Sequence, residues 1–162
     1  MLSIKLWQPA NSHLNRVLHT ILAVVSTAGL IDATYLTITH YTNRLVPCNF
    51  THGCESVLKS QYSEVLGIPV AAFGVIFYLF VLVLSVYSAL HRHYSWLITA
   101  AGLIGFGSTI YLTYLQYFVI GAWCQYCLFS ALTSTVIFVV SMVLWILNRR
   151  LDKKDTKSSP SV

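Results

Sequence analysis

The chain has 162 residues, of which 56% are hydrophobic, 14% aromatic and only 9% charged, whereas a soluble domain carries about 25% charged residues. That deficit excludes an ordinary water-soluble domain. The net charge of +5 is spread in a way that reads as a membrane-topology signal, not as a nucleic-acid footprint. Four charge-poor stretches reach the roughly 20 residues needed to cross a bilayer as helix. The expected fold is therefore all-α integral membrane: a four-transmembrane-helix bundle over residues 1–147, then a frayed polar cytoplasmic tail over 148–162.

The first span is predicted over 17–41. Lys5 and Arg16 precede it, but its apolar run exceeds the 7–15 residues of a signal-peptide core, so it reads as a retained helix. Asp32 is the one carboxylate in any predicted span, and such residues are functional hypotheses by default. Because it sits mid-helix, away from the cysteines, the sequence favours an organising hydrogen bond over proton uptake. The following loop divides in two. Asn43–Gly53 is irregular, with Pro47 before Cys48 and Gly53 before Cys54. From Cys54 to Leu66 the pattern is helical: Val57, Leu58, Tyr62, Val65 and Leu66 share a face, and Glu55 and Lys59 are spaced four apart. A short amphipathic helix lying flat over the bundle, as a lid, fits this pattern.

Gly67-Ile68-Pro69 opens the second span (67–90), where a first-turn proline is tolerated. The third span (96–120) is rich in small residues, including Ala101, Gly102, Gly105 and Ser108, which allow close helix approach. Its far half carries Tyr111, Tyr114, Gln116 and Tyr117, an interfacial aromatic belt or else a wall for an aromatic ligand. The fourth span (122–147) begins directly after Gly121.

Lys and Arg counts set the orientation. With both termini cytoplasmic, the inner side holds Lys5, Arg16, Arg92, Arg149, Arg150, Lys153, Lys154 and Lys157, and the outer side only Arg44 and Lys59. All four cysteines then fall on the outer side, where disulfides persist.

Cys124 and Cys127 form a C-x-x-C at the start of a helix, where residues three apart share a face and can reach disulfide distance. Unpaired N–H groups and the positive end of the helix dipole lower a cysteine pKa there, and the thiolate is the attacking species in exchange. Cys127 lies about one turn deeper than Cys124. Cys48 and Cys54, with five residues between them, close a small ring. A relay follows: an external thiol attacks a Cys48–Cys54 disulfide, the released Cys54 attacks Cys124, and Cys127 passes two electrons to a lipid-soluble acceptor, a quinone. Two rivals are a non-catalytic bundle stapled by its cysteines and a zinc site built from all four. A C-x-x-C bridge closes too short a loop to be a good staple. The sequence leaves open whether Cys54 rests on Cys48 or on Cys124. His52, between the loop cysteines, and His40 read as solvent-exposed histidines. Asn49-Phe50-Thr51 matches a glycosylation acceptor by chance, since a glycan there would block Cys48.

These residues resemble the vitamin K epoxide reductase family in its bacterial form without a fused thioredoxin-like domain. The resemblance runs from about Leu14 to Leu147. It rests on Cys48…Cys54, on Cys54-Glu55-Ser56-Val57-Leu58 through Gly67-Ile68-Pro69, and on Cys124-Gln125-Tyr126-Cys127. DsbB-type oxidases carry the C-x-x-C in the first outer loop and the spaced pair in the second; here the order is reversed. The resemblance implies a membrane enzyme of the bacterial inner membrane that makes disulfides. Cys48 would engage a periplasmic thioredoxin-like, DsbA-like partner in trans, Cys54 would shuttle, and Cys124 and Cys127 would be the catalytic pair. The acceptor would be ubiquinone or menaquinone in a pocket drawn among Cys127, Trp123, Leu58, Phe73 and Tyr117, capped by the loop helix. No metal is implied. Animal enzymes that reduce the epoxide have an Asn early in the second helix and a Tyr four residues after the last cysteine. Val70 and Ala131 stand there in this chain, which points to quinone rather than epoxide as substrate.

Overall fold

The computed structural model describes residues 8–48, 53–90 and 95–158, with side chains over 13–48, 53–88 and 95–151. Lys5, His52, Arg92 and the Asn49-Phe50-Thr51 pattern lie outside them. The chain runs α1 (Gln8–Tyr41), α2 (Cys54–Leu58), β1 (Glu64–Val65), β2 (Ile68–Pro69), α3 (Val70–Leu90), α4 (Ser95–Tyr114), a π-helical turn (Leu115–Ile120) and α5 (Gln125–Ser158). Four segments are long and apolar enough to cross a membrane: His13–Tyr41, Val70–Ser88, Ser95–Ile120 and Gln125–Leu151. The protein is an all-α membrane bundle.

α1 packs chiefly on α3 and α5, and α4 on α5. The shared core is a column of Leu22, Ala33, Tyr78, Val81, Ile98, Ala101, Ile137 and Leu144. Lipid offers no hydrophobic drive for helices to associate, so close packing and interhelical hydrogen bonds must hold them together. Gly102 lies against α5 so closely that a Cβ would sit 3.0 Å from Ser141 Oγ and 3.1 Å from Phe138 Cα. Beside it the Thr99 hydroxyl donates to the Ser141 carbonyl across the interface (3.0 Å), and Phe106 stacks on Phe138. At the end far from the cysteines, Asn15 of α1 donates to Asn148 of α5 (3.4 Å). The outward faces carry Val24, Ile31, Ile76, Val83, Ile104 and Leu132, all well exposed, as suits a surface solvated by acyl chains.

Tyr78 ties α3 to both neighbours. It is 1% exposed, its ring lies over Gly29 of α1, and its hydroxyl meets Thr133 Oγ1 (2.7 Å), Ser130 Oγ (2.9 Å) and the Ser130 carbonyl (3.0 Å) on α5.

The loop after α1 departs from the sequence pattern. The helix expected over Cys54–Leu66 ends at Leu58, where the Lys59 N–H donates back to the Glu55 carbonyl (2.9 Å). A two-residue hairpin follows, with Val65 opposite Ile68 and both turn residues, Leu66 (φ 55°) and Gly67 (φ 77°), left-handed. Paired positive φ values match the right-handed twist of tight hairpins. The Val70 N–H donates to the Ser63 carbonyl (2.9 Å), fixing the hairpin to the start of α3. Pro69 therefore lies in β2, one residue before the helix rather than within its first turn. The chain ends differ too. α1 starts well before residue 17, and α5 continues through Asn148 to Ser158, where a frayed tail was expected. Arg149 and Arg150 are good helix formers and carry the helix past Asn148.

Gly29→Ala drives a methyl group into the Tyr78 ring, which its hydroxyl bonds hold in place. The expected cost is about 1–3 kcal/mol, read as a lowered unfolding temperature in detergent micelles.

Candidate active site

The four cysteines converge at one end of the bundle. Cys54 and Val57 of α2 pack with Cys124 in one buried cluster, and Cys48, Leu58, Ile120, Ala122, Tyr126 and Cys127 close around it. Cys48 and Cys54 form a disulfide with Cα atoms 6.1 Å apart, while Cys124 and Cys127 are free thiols. The structure thus gives Cys54 its resting partner, Cys48.

Cys124 owes its place to two chain breaks. The π-turn widens the end of α4, and Gly121 reverses the chain in a left-handed conformation (φ 67°, ψ 21°), where glycine carries no Cβ penalty. The Ala122 N–H returns to the Gln116 carbonyl (3.2 Å). Gln116, 4% exposed, also accepts the Cys124 N–H on its side-chain Oε1 (3.0 Å). α5 starts at Gln125, and the Leu128 N–H donates to the Cys124 carbonyl (3.0 Å), so Cys124 is the N-cap residue. An N-cap side chain faces the N–H groups of the second and third helical residues, here Tyr126 and Cys127. The Cys127 thiol, donating to the Cys124 sulfur, lowers the Cys124 pKa most. Burial works the other way, the two backbone N–H groups add to the lowering, and the Asp32 charge opposes it weakly; the result is about 7.

The loop is pressed onto this N-cap. A Cβ on Gly53 would lie 2.8 Å from Ala122 Cβ and 2.9 Å from both the N and O of Trp123. Only glycine lets the Cys54 backbone come this close. From the other side, Tyr126 Oη and Gln125 Nε2 donate to the Pro47 carbonyl (3.1 and 3.3 Å), one residue before Cys48. The His40–Glu64 pair (3.1 Å) ties the end of α1 to β1, and Lys59 pairs with Glu55 on α2 at 2.6 Å.

Beneath the loop is a cavity of about 330 Å³ enclosed by α1, α3, α4 and α5, within the size range of small-molecule sites. Cys127, Leu58 and Phe73 line it, as do Val70 and Ala131. Trp123 and Tyr117 do not. They pack on each other with ring centres 5.8 Å apart, outside that lining and partly exposed.

Asp32 requires a correction. The sequence places it away from the cysteines, yet it lines the cavity together with Cys127. The bundle brings α1 against the start of α5, with the rings of Tyr35 and Tyr126 5.6 Å apart, and Asp32 is one helical turn below Tyr35. Gln116, read from the sequence as part of an interfacial belt or a ligand wall, lines the cavity, and so does Tyr78, which the sequence does not mark. A lone glutamine in an apolar span was the available signal for the first.

A transmembrane bundle that buries a thiol pair beneath a loop disulfide, beside an apolar cavity, defines a membrane thiol oxidoreductase. The sequence matches the family model described as "Vitamin K epoxide reductase family" over residues 20–142, and the chain belongs to that family. Its members are membrane oxidoreductases that use quinones.

Two outcomes are expected. The Cys124 thiolate, followed by its absorbance at 240 nm against a Cys124→Ser reference, appears with a midpoint of about pH 7 in the reduced protein. The attacking form is thus depleted as pH falls below 7 and complete above 8. Cys127→Ala removes the donor and moves the midpoint up toward the ordinary thiol value of about 8.5. Gly53→Ala lifts the loop: Cys54–Cys124 bond formation by added diamide, a two-electron thiol oxidant, in a Cys48→Ser, Cys127→Ser background should slow by about tenfold, equal to about 1.4 kcal/mol of overpacking.

Proposed function

We propose that this enzyme generates disulfides, taking electrons from a thioredoxin-like, DsbA-like protein on the outer face of a bacterial cytoplasmic membrane and delivering them to ubiquinone or menaquinone. The packing of both cysteine pairs into one cluster, with Cys127 alone of the four also lining the apolar cavity, carries this reading. The Lys and Arg bias favours an orientation with both termini cytoplasmic.

The steps balance. A partner thiolate attacks Cys48, the partner's second thiol resolves the mixed disulfide, and the partner leaves oxidised with Cys48 and Cys54 reduced. The Cys54 thiolate then attacks the Cys124 sulfur of a Cys124–Cys127 disulfide, releasing Cys127. Cys48 resolves the Cys54–Cys124 bond, which restores the loop disulfide and leaves Cys124 and Cys127 reduced. That is the pairing seen here. Two electrons and two protons then pass from this pair to the quinone substrate, giving quinol and the Cys124–Cys127 disulfide.

Each side chain has a part. Gln116 and the helix N-terminus hold Cys124 as a stabilised leaving group and nucleophile. Gly53 sets the distance across which Cys54 reaches it. Leu58 and Phe73 supply apolar surface for a quinone ring. Val70 and Ala131 give the cavity no hydrogen-bonding side chain at the two positions where epoxide-reducing relatives have Asn and Tyr, so quinone is favoured over epoxide.

Cys124→Ser and Cys127→Ser should each abolish quinone reduction by a reduced partner in a protein that still folds. Cys54→Ser should trap the partner as a mixed disulfide on Cys48, recoverable by non-reducing electrophoresis. Normal turnover by both C-x-x-C variants would refute the relay.

A further inference from the structure

We infer that Asp32 is the proton carrier of the quinone half-reaction, accepting the Cys127 thiol proton and handing it to a quinone oxygen. This rests on the function proposed above. Asp32 is the one carboxylate in the four spans, and it lines the same cavity as Cys127. Its position follows from the helix: Tyr35, three residues on, shares its face and touches Tyr126, the neighbour of Cys127.

An organising hydrogen bond does not account for the residue. Its Oδ2 is buried and has no hydrogen-bond partner among the described residues. Buried polar atoms are nearly always satisfied, and an orphan in a native structure calls for a role. Among the described residues of the cavity lining there is no Lys or Arg, and its one histidine, His40, is held by Glu64 at 3.1 Å. A carboxyl group kept unpaired at membrane depth, beside a thiol that must shed a proton, has the chemistry of a relay.

The transfer balances as follows. Cys124 reacts as thiolate, its proton having gone to water. As the Cys124–Cys127 bond forms and two electrons enter the quinone, the Cys127 proton passes to the Asp32 carboxylate and on to one quinone oxygen. A proton from the water side reaches the second oxygen. Two thiols and a quinone become a disulfide and a quinol, and Asp32 ends as it began.

The test uses the full chain in lipid nanodiscs with dithiothreitol as donor and decylubiquinone as acceptor. Asp32→Asn should lower kcat for quinol formation by about 100-fold, at the low end of general acid–base contributions, while KM for decylubiquinone moves by less than about 3-fold. Asp32→Glu should recover most of the loss, and reduction of the Cys48–Cys54 disulfide by dithiothreitol should keep its rate in both variants. An unchanged kcat in Asp32→Asn, a kcat loss matched by a KM rise, or no rescue by Glu overturns the inference. Should Asp32→Asn fail to fold, the unsubstituted chain decides. Dicyclohexylcarbodiimide should modify Asp32, identified by peptide mass, and block quinol formation while loop-disulfide exchange continues; full turnover of the modified chain overturns it. Failure of the unsubstituted chain to reduce decylubiquinone is a different result, and it removes the proposed function together with this role.

Discussion

The structure depends on the N-cap of α5. A helix start leaves backbone N–H groups without intrahelical partners, and in a bilayer such groups find no water. Here the vacancy is filled by a sulfur, Cys124, whose own N–H is in turn taken by Gln116. The sulfur acquires thiolate character chiefly from the Cys127 thiol, and the helix N–H groups that it caps add to it, so one arrangement serves both stability and reactivity. This also explains the π-turn: the widened backbone at Leu115–Ile120 leaves Gln116 buried with its amide at the Cys124 N–H. Functional sites favour such turns.

Around that point the loop and the bundle have opposite requirements. In the proposed relay, exchange between Cys54 and Cys124 needs the close backbone approach that Gly53 permits, whereas a partner needs access to Cys48. The structure separates the two: Cys54 is 1% exposed and packed on α5, while Cys48 lies at the edge of the same cluster and is only partly covered. The short α2 and its hairpin lie over the cavity, tied at two adjacent residues: Glu64 to His40 at the end of α1, and Ser63 to Val70 at the start of α3. The lid is therefore attached to both α1 and α3.

Much of this was legible in the chain because the signals were strong and local. Four apolar runs fixed the bundle, and the order of the two cysteine pairs pointed to the family. The lid was read less well. Val57, Leu58, Tyr62, Val65 and Leu66 have helical spacing, but spacing over a dozen residues cannot anticipate that Leu66-Gly67 turns back as a hairpin with Leu66 left-handed, a conformation rare for a branched residue. Asp32 was misplaced for a different reason. Depth along a helix is readable from sequence, whereas which neighbour stands opposite depends on how helices cross, and the crossing that sets Tyr35 on Tyr126 brings a mid-span residue beside the start of another helix.

The two quinone-pocket aromatics outside the cavity lining, Trp123 and Tyr117, show the same limit. Both flank the turn between α4 and α5, so sequence proximity to Cys124 made them natural pocket residues. The left-handed Gly121 instead leaves them packed on one another and partly exposed, in the manner of rings anchoring a membrane interface. The cavity is walled by residues distant in sequence, Leu58, Phe73 and Gln116 among them, which only the bundle brings to Cys127. One end of the bundle thus has two surroundings on either side of Cys124: the loop with its Cys48–Cys54 disulfide, and an apolar chamber lined by Cys127 and a single carboxylate. The thiol pair at the helix start is the boundary between them.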